Sequence, residues 1–280
     1  MPATASTPVF PVFPAFPIAM RIIAVTNQKG GTGKTTTTVN LAAALGQLGR
    51  RVLVLDLDPQ ANASAWLGVR DGGTGLLEAL VADDGGSLSG LIRAGSAHGV
   101  DLIPASLQLT RADRHLAATL GGDKILLGLI RGLPPGRWDY LLIDCPPTLG
   151  QLTINALAAA GEILVPVEAS TMAVAGLADL LKTVAQAQRY LNPGLAVCGI
   201  FACRVDARTV LAREVVAALR ERFPELALAT TIRESVRLRE AWGHAAPIGL
   251  FAPHSSGAED YRCLALEITR QEQCHALRSA

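Results

Sequence analysis

The sequence predicts an α/β fold: a mostly parallel, doubly wound sheet flanked by helices in a three-layer sandwich. Three observations carry this. From Met20 onward, short apolar runs alternate with segments of helical period. The runs are apolar at every position, not at every second one, the pattern of strands buried on both faces. Half of the 280 residues are apolar, 18% are charged and 4% are aromatic, which fits one large core built from Ala, Leu, Val and Ile.

The elements follow in order. Strands are expected at Ile22–Thr26, Val52–Asp56, Val100–Pro104, Tyr140–Asp144, Ile163–Val167 and Leu195–Cys203, each a short apolar run. Helices are expected between and after them, at Lys34–Leu48, Thr74–Val81, Leu107–Leu120, Lys124–Arg131, Leu152–Ala159, Val174–Leu191 and Thr209–Phe223, with a last one from Gly257 to Ala276. Such alternation implies parallel strands joined by helical crossovers. The Gly/Asp-rich stretches Asp71–Gly75 and Asp83–Gly90 read as surface loops within one domain, residues 20–280. Residues 1–19 form a Pro/Phe-rich leader, with Pro8, Pro11, Pro14 and Pro17 at a three-residue period that suits polyproline II. Either it is a partner-binding tail or Met20 is the native start; the second reading is preferred.

Composition narrows function. A formal net charge of +1 gives no global attraction for nucleic acid or anionic lipid, so such binding needs a local patch. Five cysteines without C-x-x-C spacing point to a reducing compartment, and five scattered histidines to no structural metal. No clean apolar run reaches the roughly 18 residues of a membrane span. The chain is expected in the cytoplasm.

The chemistry centres on the loop after the first strand, Lys29-Gly30-Gly31-Thr32-Gly33-Lys34-Thr35-Thr36. Strand, glycine-rich loop and helix are the context of a phosphate-binding loop. Glycines let backbone N–H groups curl around phosphate oxygens, and the helix adds its positive end. Lys34 is expected on the β- and γ-phosphates and Thr35 on Mg²⁺. The usual pattern has glycine where Gln28 stands, and Lys29 opens the loop instead. The chain has 21 arginines but only four lysines, and two of the four lie here, where a compact ammonium suits phosphate. Asp144 ends an apolar strand at the carboxyl edge of the sheet, a position from which a carboxylate holds Mg²⁺ through water. Asp56 and Asp58 follow another strand end; Asp56 either joins this chemistry or forms the turn before Pro59.

Lys-Gly-Gly-x-Gly-Lys-Thr-Thr resembles the deviant Walker A motif of the ParA/MinD ATPases, and the stretch from Met20 to about Arg270 resembles a ParA/Soj partition ATPase. Further ordered matches are Val54–Asn62, Leu141–Pro147 (Ile143-Asp144-Cys145-Pro146-Pro147 within it), Val205–Thr209 and Val236–Ala241. The resemblance implies a P-loop NTPase fold, ATP and Mg²⁺ as cofactors, and ATP hydrolysis. It implies that Asp58 orients the attacking water, that Asp56 supports the Mg²⁺ region, and that Lys29 reaches across a face-to-face homodimer into the partner's ATP. It also implies non-specific double-stranded DNA binding by the dimer, nucleoid association, a ParB-like centromere-binding partner and movement of a plasmid or chromosome. Arg208 and Arg237 are the DNA contacts it singles out, in a segment (204–240) with eight arginines against six acids.

The match departs in two places. Ser170 and Ala175 stand where relatives often carry Glu, and Arg233-Glu234-Ser235 replaces Pro-Arg-Asn, so no adenine contacts are carried over. Three alternatives remain open: a relative that positions a protein cargo, a MinD-like membrane-cycling regulator, and a nitrogenase-iron-protein-like reductase. The tail Glu267–Leu277, with no aromatics and two acids, argues against the second. Cys145, without a companion cysteine, argues against the third.

Overall fold

Beginning at Arg21, the chain lays down eight strands and eleven helices among the residues described by a computed structural model, 20–70, 75–82, 85–170 and 173–278. The Pro/Phe-rich leader and most of the expected Asp71–Gly75 loop lie outside these residues. The strands are β1 Arg21–Val25, β2 Val52–Asp56, β3 Arg93–Ala94, β4 Val100–Ile103, β5 Tyr140–Asp144, β6 Glu162–Glu168, β7 Ala196–Val205 and β8 Ile232–Arg233. The helices are α1 Lys34–Gln47, α2 Asn62–Trp66, α3 Leu76–Val81, α4 Ala112–Ala118, α5 Ile125–Arg131, α6 Gln151–Ala159, α7 Ala173–Tyr190, α8 Val210–Arg222, α9 Val236–Gly243, α10 Ile248–Phe251 and α11 Ser256–Arg278.

The strands form one sheet in the order β3-β4-β2-β5-β1-β6-β7-β8, parallel throughout except for the β3–β4 edge pair. From central β1 the chain first builds one half of the sheet, then returns to build the other. The crevice beyond the carboxyl end of β1 is therefore a topological switch point, where open parallel sheets bind ligands.

The continuous apolar runs are explained by two cores. Successive residues of a strand point to opposite faces, so Tyr140 and Leu142 enter one core while Leu141 and Ile143 enter the other. One face is covered by α1, α2 and the C-terminal helices, the other by α3 to α8. Pro166 sits inside β6, where a missing N–H usually breaks a ladder. Here β1 has already ended, its last partner being Leu164, and the Pro166 carbonyl accepts a hydrogen bond from Asn27 Nδ2 at 2.8 Å.

Several boundaries differ from expectation. The expected helix Leu107–Leu120 divides into a 3-10 turn at Leu107–Arg111 and α4, and 3-10 residues Gly122–Lys124 precede α5. The last strand continues to Val205, two residues beyond the expected Cys203, because β8 pairs with its end. The segments α2, β3, β8, α9 and α10 are each eight residues or fewer, too short for periodicity to show.

Two glycines separate local propensity from packing. A methyl group added to Gly128, exposed within α5, would meet nothing within 4 Å, so Gly128→Ala is expected to stabilise by about 0.5–1 kcal/mol. A methyl group on Gly46 in α1 would lie 2.3 Å from the backbone oxygen of His98. Gly46→Ala is expected to destabilise by about 1–3 kcal/mol despite its better helix propensity. Urea unfolding of the two variants checks both signs.

Candidate nucleotide-binding site

The loop between β1 and α1 is shaped by two glycines in the left-handed region, Gly31 at φ 78° and Gly33 at φ 89°. Residues with a Cβ adopt that region rarely. Gly33 caps α1 without a side-chain hydrogen bond, and the first turn of α1 carries no acidic residue. Its free N–H groups and positive helix end are left for an anion. The Lys34 ammonium lies 3.4 Å from the Lys29 carbonyl, and burial lowers its pKa against the pull of Asp144, Cys145 and Asp58.

Four consecutive threonines follow, Thr35 to Thr38, a poor local start for a helix. Tertiary contacts hold it. Thr38 donates to the Lys34 carbonyl and to Asp144 Oδ1, 3.1 and 3.2 Å away, and Thr37 Oγ1 lies 3.4 Å from the Tyr261 hydroxyl of α11. Thr32 is buried and donates to the Lys29 carbonyl.

The acidic residues divide by role. Asp56 and Asp144 are register partners at the carboxyl ends of β2 and β5, and both are fully buried. Asp56 Oδ2 accepts from the Ser64 backbone and hydroxyl, 2.8 and 2.7 Å away, and Oδ1 accepts from the Asp58 backbone at 3.1 Å. One oxygen therefore ties down the Asp58 turn and the other ties down α2, and burial pushes its pKa up to about 6. Asp144 differs. Its Oδ2 is the one buried side-chain N or O atom among the described residues with no hydrogen-bond partner. Burial, followed by repulsion from Asp56, raises its pKa well above the usual range. An unmet carboxylate oxygen beside Thr35 and below the phosphate loop is what a hydrated Mg²⁺ would satisfy.

A cleft of about 570 Å³ opens above these groups. Gly30, Gly31, Gly33, Lys34, Thr35 and Thr36 line one wall, with Asp58 at their side. The opposite wall comes from the ends of β7 and β8 and from α9, and includes Arg204, Glu234 and Arg239. Trp66, Leu238 and Trp242 give the cleft an apolar end. The volume and the mixed lining suit a nucleotide. Sequence reasoning singled out Arg233–Ser235 and Val236–Ala241 but did not assign them to the cleft, although a signal was present: two of the chain's three tryptophans border it.

Lys29 is absent from the lining of its own subunit's cleft. It stands on the rim, with Nζ 2.9 Å from Glu168 Oε2 and 3.1 Å from Ser170 Oγ. Arg208 and Arg237 also lie outside the cleft, just beyond the carboxyl ends of β7 and β8. Each is exposed and carries an acidic partner: Asp206, whose pKa Arg208 lowers to about 2, and Glu240.

Fold and loop together define a P-loop ATPase that works with ATP and Mg²⁺. A family model described as an AAA domain matches residues 20–197. The chain is 41% identical over 248 residues to the sporulation initiation inhibitor protein Soj of Bacillus subtilis (strain 168), covering 89% of this chain and 98% of that one. It is 44% identical over 254 residues to the chromosome-partitioning ATPase Soj of Thermus thermophilus, covering 91% and 97%. Among solved structures, cobyrinic acid a,c-diamide synthase from Mycobacterium smegmatis with bound ADP and magnesium superposes with a TM-score of 0.78. That match is 33% identical and covers 91% of this chain and 96% of that one. The chain belongs to the ParA/Soj family of partition ATPases.

The buried acids set a pH dependence for the metal-free protein. Asp56 and Asp144 take up a proton more readily folded than unfolded, so the folded state binds more protons between the ordinary carboxylate range and the raised values. The stabilising effect of each is complete below about pH 4; that of Asp56 is lost as pH rises through about 6, and that of Asp144 as pH rises through its own raised value. The unfolding temperature without Mg²⁺ is therefore expected to fall between pH 5 and 7.5, and Asp144→Asn to flatten that slope while removing any gain from added Mg²⁺. Thermal scans with and without Mg²⁺ test this.

Proposed function

We propose that two copies of this chain, facing each other through their clefts, clasp ATP into a dimer that binds DNA without sequence preference. A ParB-like centromere-binding partner then stimulates hydrolysis and release, so that the cycle moves a plasmid or chromosome over the nucleoid. The observation that carries this reading is the division of labour between the two loop lysines. Lys34 occupies the cleft, whereas Lys29 lies on the rim, where a second subunit's phosphates can reach it.

Within that reading, the N–H groups of Gly30 to Thr36 and the Lys34 ammonium hold the phosphates. The Thr35 hydroxyl and Asp144 would hold Mg²⁺, which would supply positive charge beside the phosphate oxygens. Asp58, at the cleft wall with Oδ1 accepting from the Gln60 N–H at 3.0 Å, keeps an oxygen to orient the attacking water. Asp56 supports the metal region by fixing the Asp58 turn. Lys29 from the facing copy offsets the charge that builds on the transferring phosphoryl group. Arg208 and Arg237 supply phosphate contacts for DNA. Their acidic partners make one monomer a weak binder, and dimerisation doubles the patch. Among the described residues no helix is long and apolar enough to cross a membrane.

With a slowly hydrolysed ATP analogue, wild-type protein is expected to sediment as a dimer and Lys29→Ala as a nucleotide-bound monomer. A wild-type protein that stays single at every concentration would sink the reading. Asp58→Ala is expected to keep ATP and DNA binding while turnover falls about 100-fold or more.

DNA mobility shifts should require ATP and weaken steeply with salt. The double variant Arg208→Ala/Arg237→Ala should dimerise yet lose DNA, with a salt slope shallower by about 0.9 for each phosphate contact removed. DNA retention equal to wild type would place the patch elsewhere.

A further inference from the structure

Lys29 is one end of a string of alternating charge along the carboxyl edge of β6, β7 and β8. Its Nζ lies 2.9 Å from Glu168 Oε2, and the other oxygen of that carboxylate accepts from Arg204 Nη1, also at 2.9 Å. Arg204 Nε lies 3.4 Å from Glu234 Oε2, and Glu234 Oε1 accepts from Arg239 Nη1 at 3.1 Å. Cation and anion alternate through five side chains that begin and end on a cation.

The backbone fixes this arrangement from both sides. Asn27 bonds the Lys29 N–H through Oδ1 and the Pro166 carbonyl through Nδ2, so the loop is pinned to β6 two residues before Glu168. Arg204 is the additional residue of a bulge, since Cys203 and Val205 pair with consecutive residues of β8. It adopts φ 55°, a left-handed conformation unfavourable for a residue with a Cβ. The bulge aims its guanidinium along the sheet edge between two carboxylates.

We propose that Glu168 and Arg204 are positioning residues for Lys29: Glu168 docks the lysine on its own subunit, and Arg204 is the reserve cation that lets Glu168 release it. The inference rests on the dimer reading above. The side chain of Glu168 is 23% exposed, too enclosed to lose its only cation without cost. With Arg204 present, departure of Lys29 leaves a string in which every charge has a partner. Without Arg204, Lys29 would be the sole cation on Glu168, and its departure would strand a carboxylate. Docking therefore opposes dimerisation weakly enough for a γ-phosphate to overcome it, while keeping Lys29 from grasping other anions.

The two residues consequently act with opposite sign. Glu168→Gln removes the dock and should lower the protein concentration needed for ATP-analogue-dependent dimerisation. Arg204→Met, an unbranched side chain without charge, should raise it, and Arg204→Lys should restore the wild-type value. An ion pair this exposed shifts an equilibrium by about 1.4- to 5-fold, and a dimer releases two lysines, so the midpoints should move by roughly 2–25-fold. Sedimentation with the analogue reads these midpoints. Binding of a fluorescent ATP analogue to dilute monomer should change less than twofold in Glu168→Gln, separating docking from a general effect on the cleft. Shifts of the two variants in the same direction, or no shift while wild type dimerises, overturn the inference. A wild-type protein that never dimerises overturns the dimer reading itself, and the inference with it.

Discussion

The structure depends on burying a carboxylate that the folded chain does not fully satisfy. Asp144 ends a central strand with zero exposure, Asp56 lies directly beside it in register, and the ammonium that acts on it, Lys34, is itself buried. Such an arrangement is costly in isolation and becomes favourable once a cation and an anion of the right size arrive together. The surroundings prevent relaxation. Thr38 holds one oxygen of Asp144, α1 is packed against α11, and the Asp58 turn is tied to Asp56 and onward through Ser64 to the Ala105 N–H. An apolar core on each face of the sheet keeps the edge rigid while its chemistry stays incomplete.

The two walls of the cleft differ in origin and hence in freedom. The phosphate wall is continuous with β1 and α1 at the centre of the sheet. The facing wall comes from the short edge strand β8 and from α9, braced by Arg233 on Asp260 and by Trp66 Nε1 donating to the Ala246 carbonyl at 2.9 Å. Trp66 lies only eight residues after Asp58. The helix that follows the Asp58 turn is thus hydrogen-bonded to the segment just after α9.

Much of this was legible in the sequence. Continuous apolar runs revealed the six longer strands, because a doubly covered sheet requires them, and Gly31, Gly33 and Lys34 marked the loop, because only that chemistry curls a backbone around phosphate. Most of the cleft's second wall was not legible. β8 has two residues and α9 eight, too few to display a period, and Glu168 and Arg204 gain significance only when β6 and β7 align. Asp56 illustrates the same limit. The sequence leaves it between the Mg²⁺ chemistry and the turn before Pro59, and its partners, Ser64 and the Asp58 N–H, tie it into that turn. Strand ends and spacing identified the carboxylates, but their hydrogen-bond partners appear only in the folded chain.

The clasp between the first strand and the last helix bears on biosynthesis. Arg21 bonds Glu162, the Ile268 carbonyl and Gln271, while Tyr140 and Arg50 both reach Glu272. The central strand is thus made first by the ribosome and secured last, across about 250 residues of intervening chain. A chain that ends before α11 lacks the apolar cover of α1 and the Asp260 brace on Arg233. Such truncated products should be weak binders of nucleotide and ready substrates for proteases.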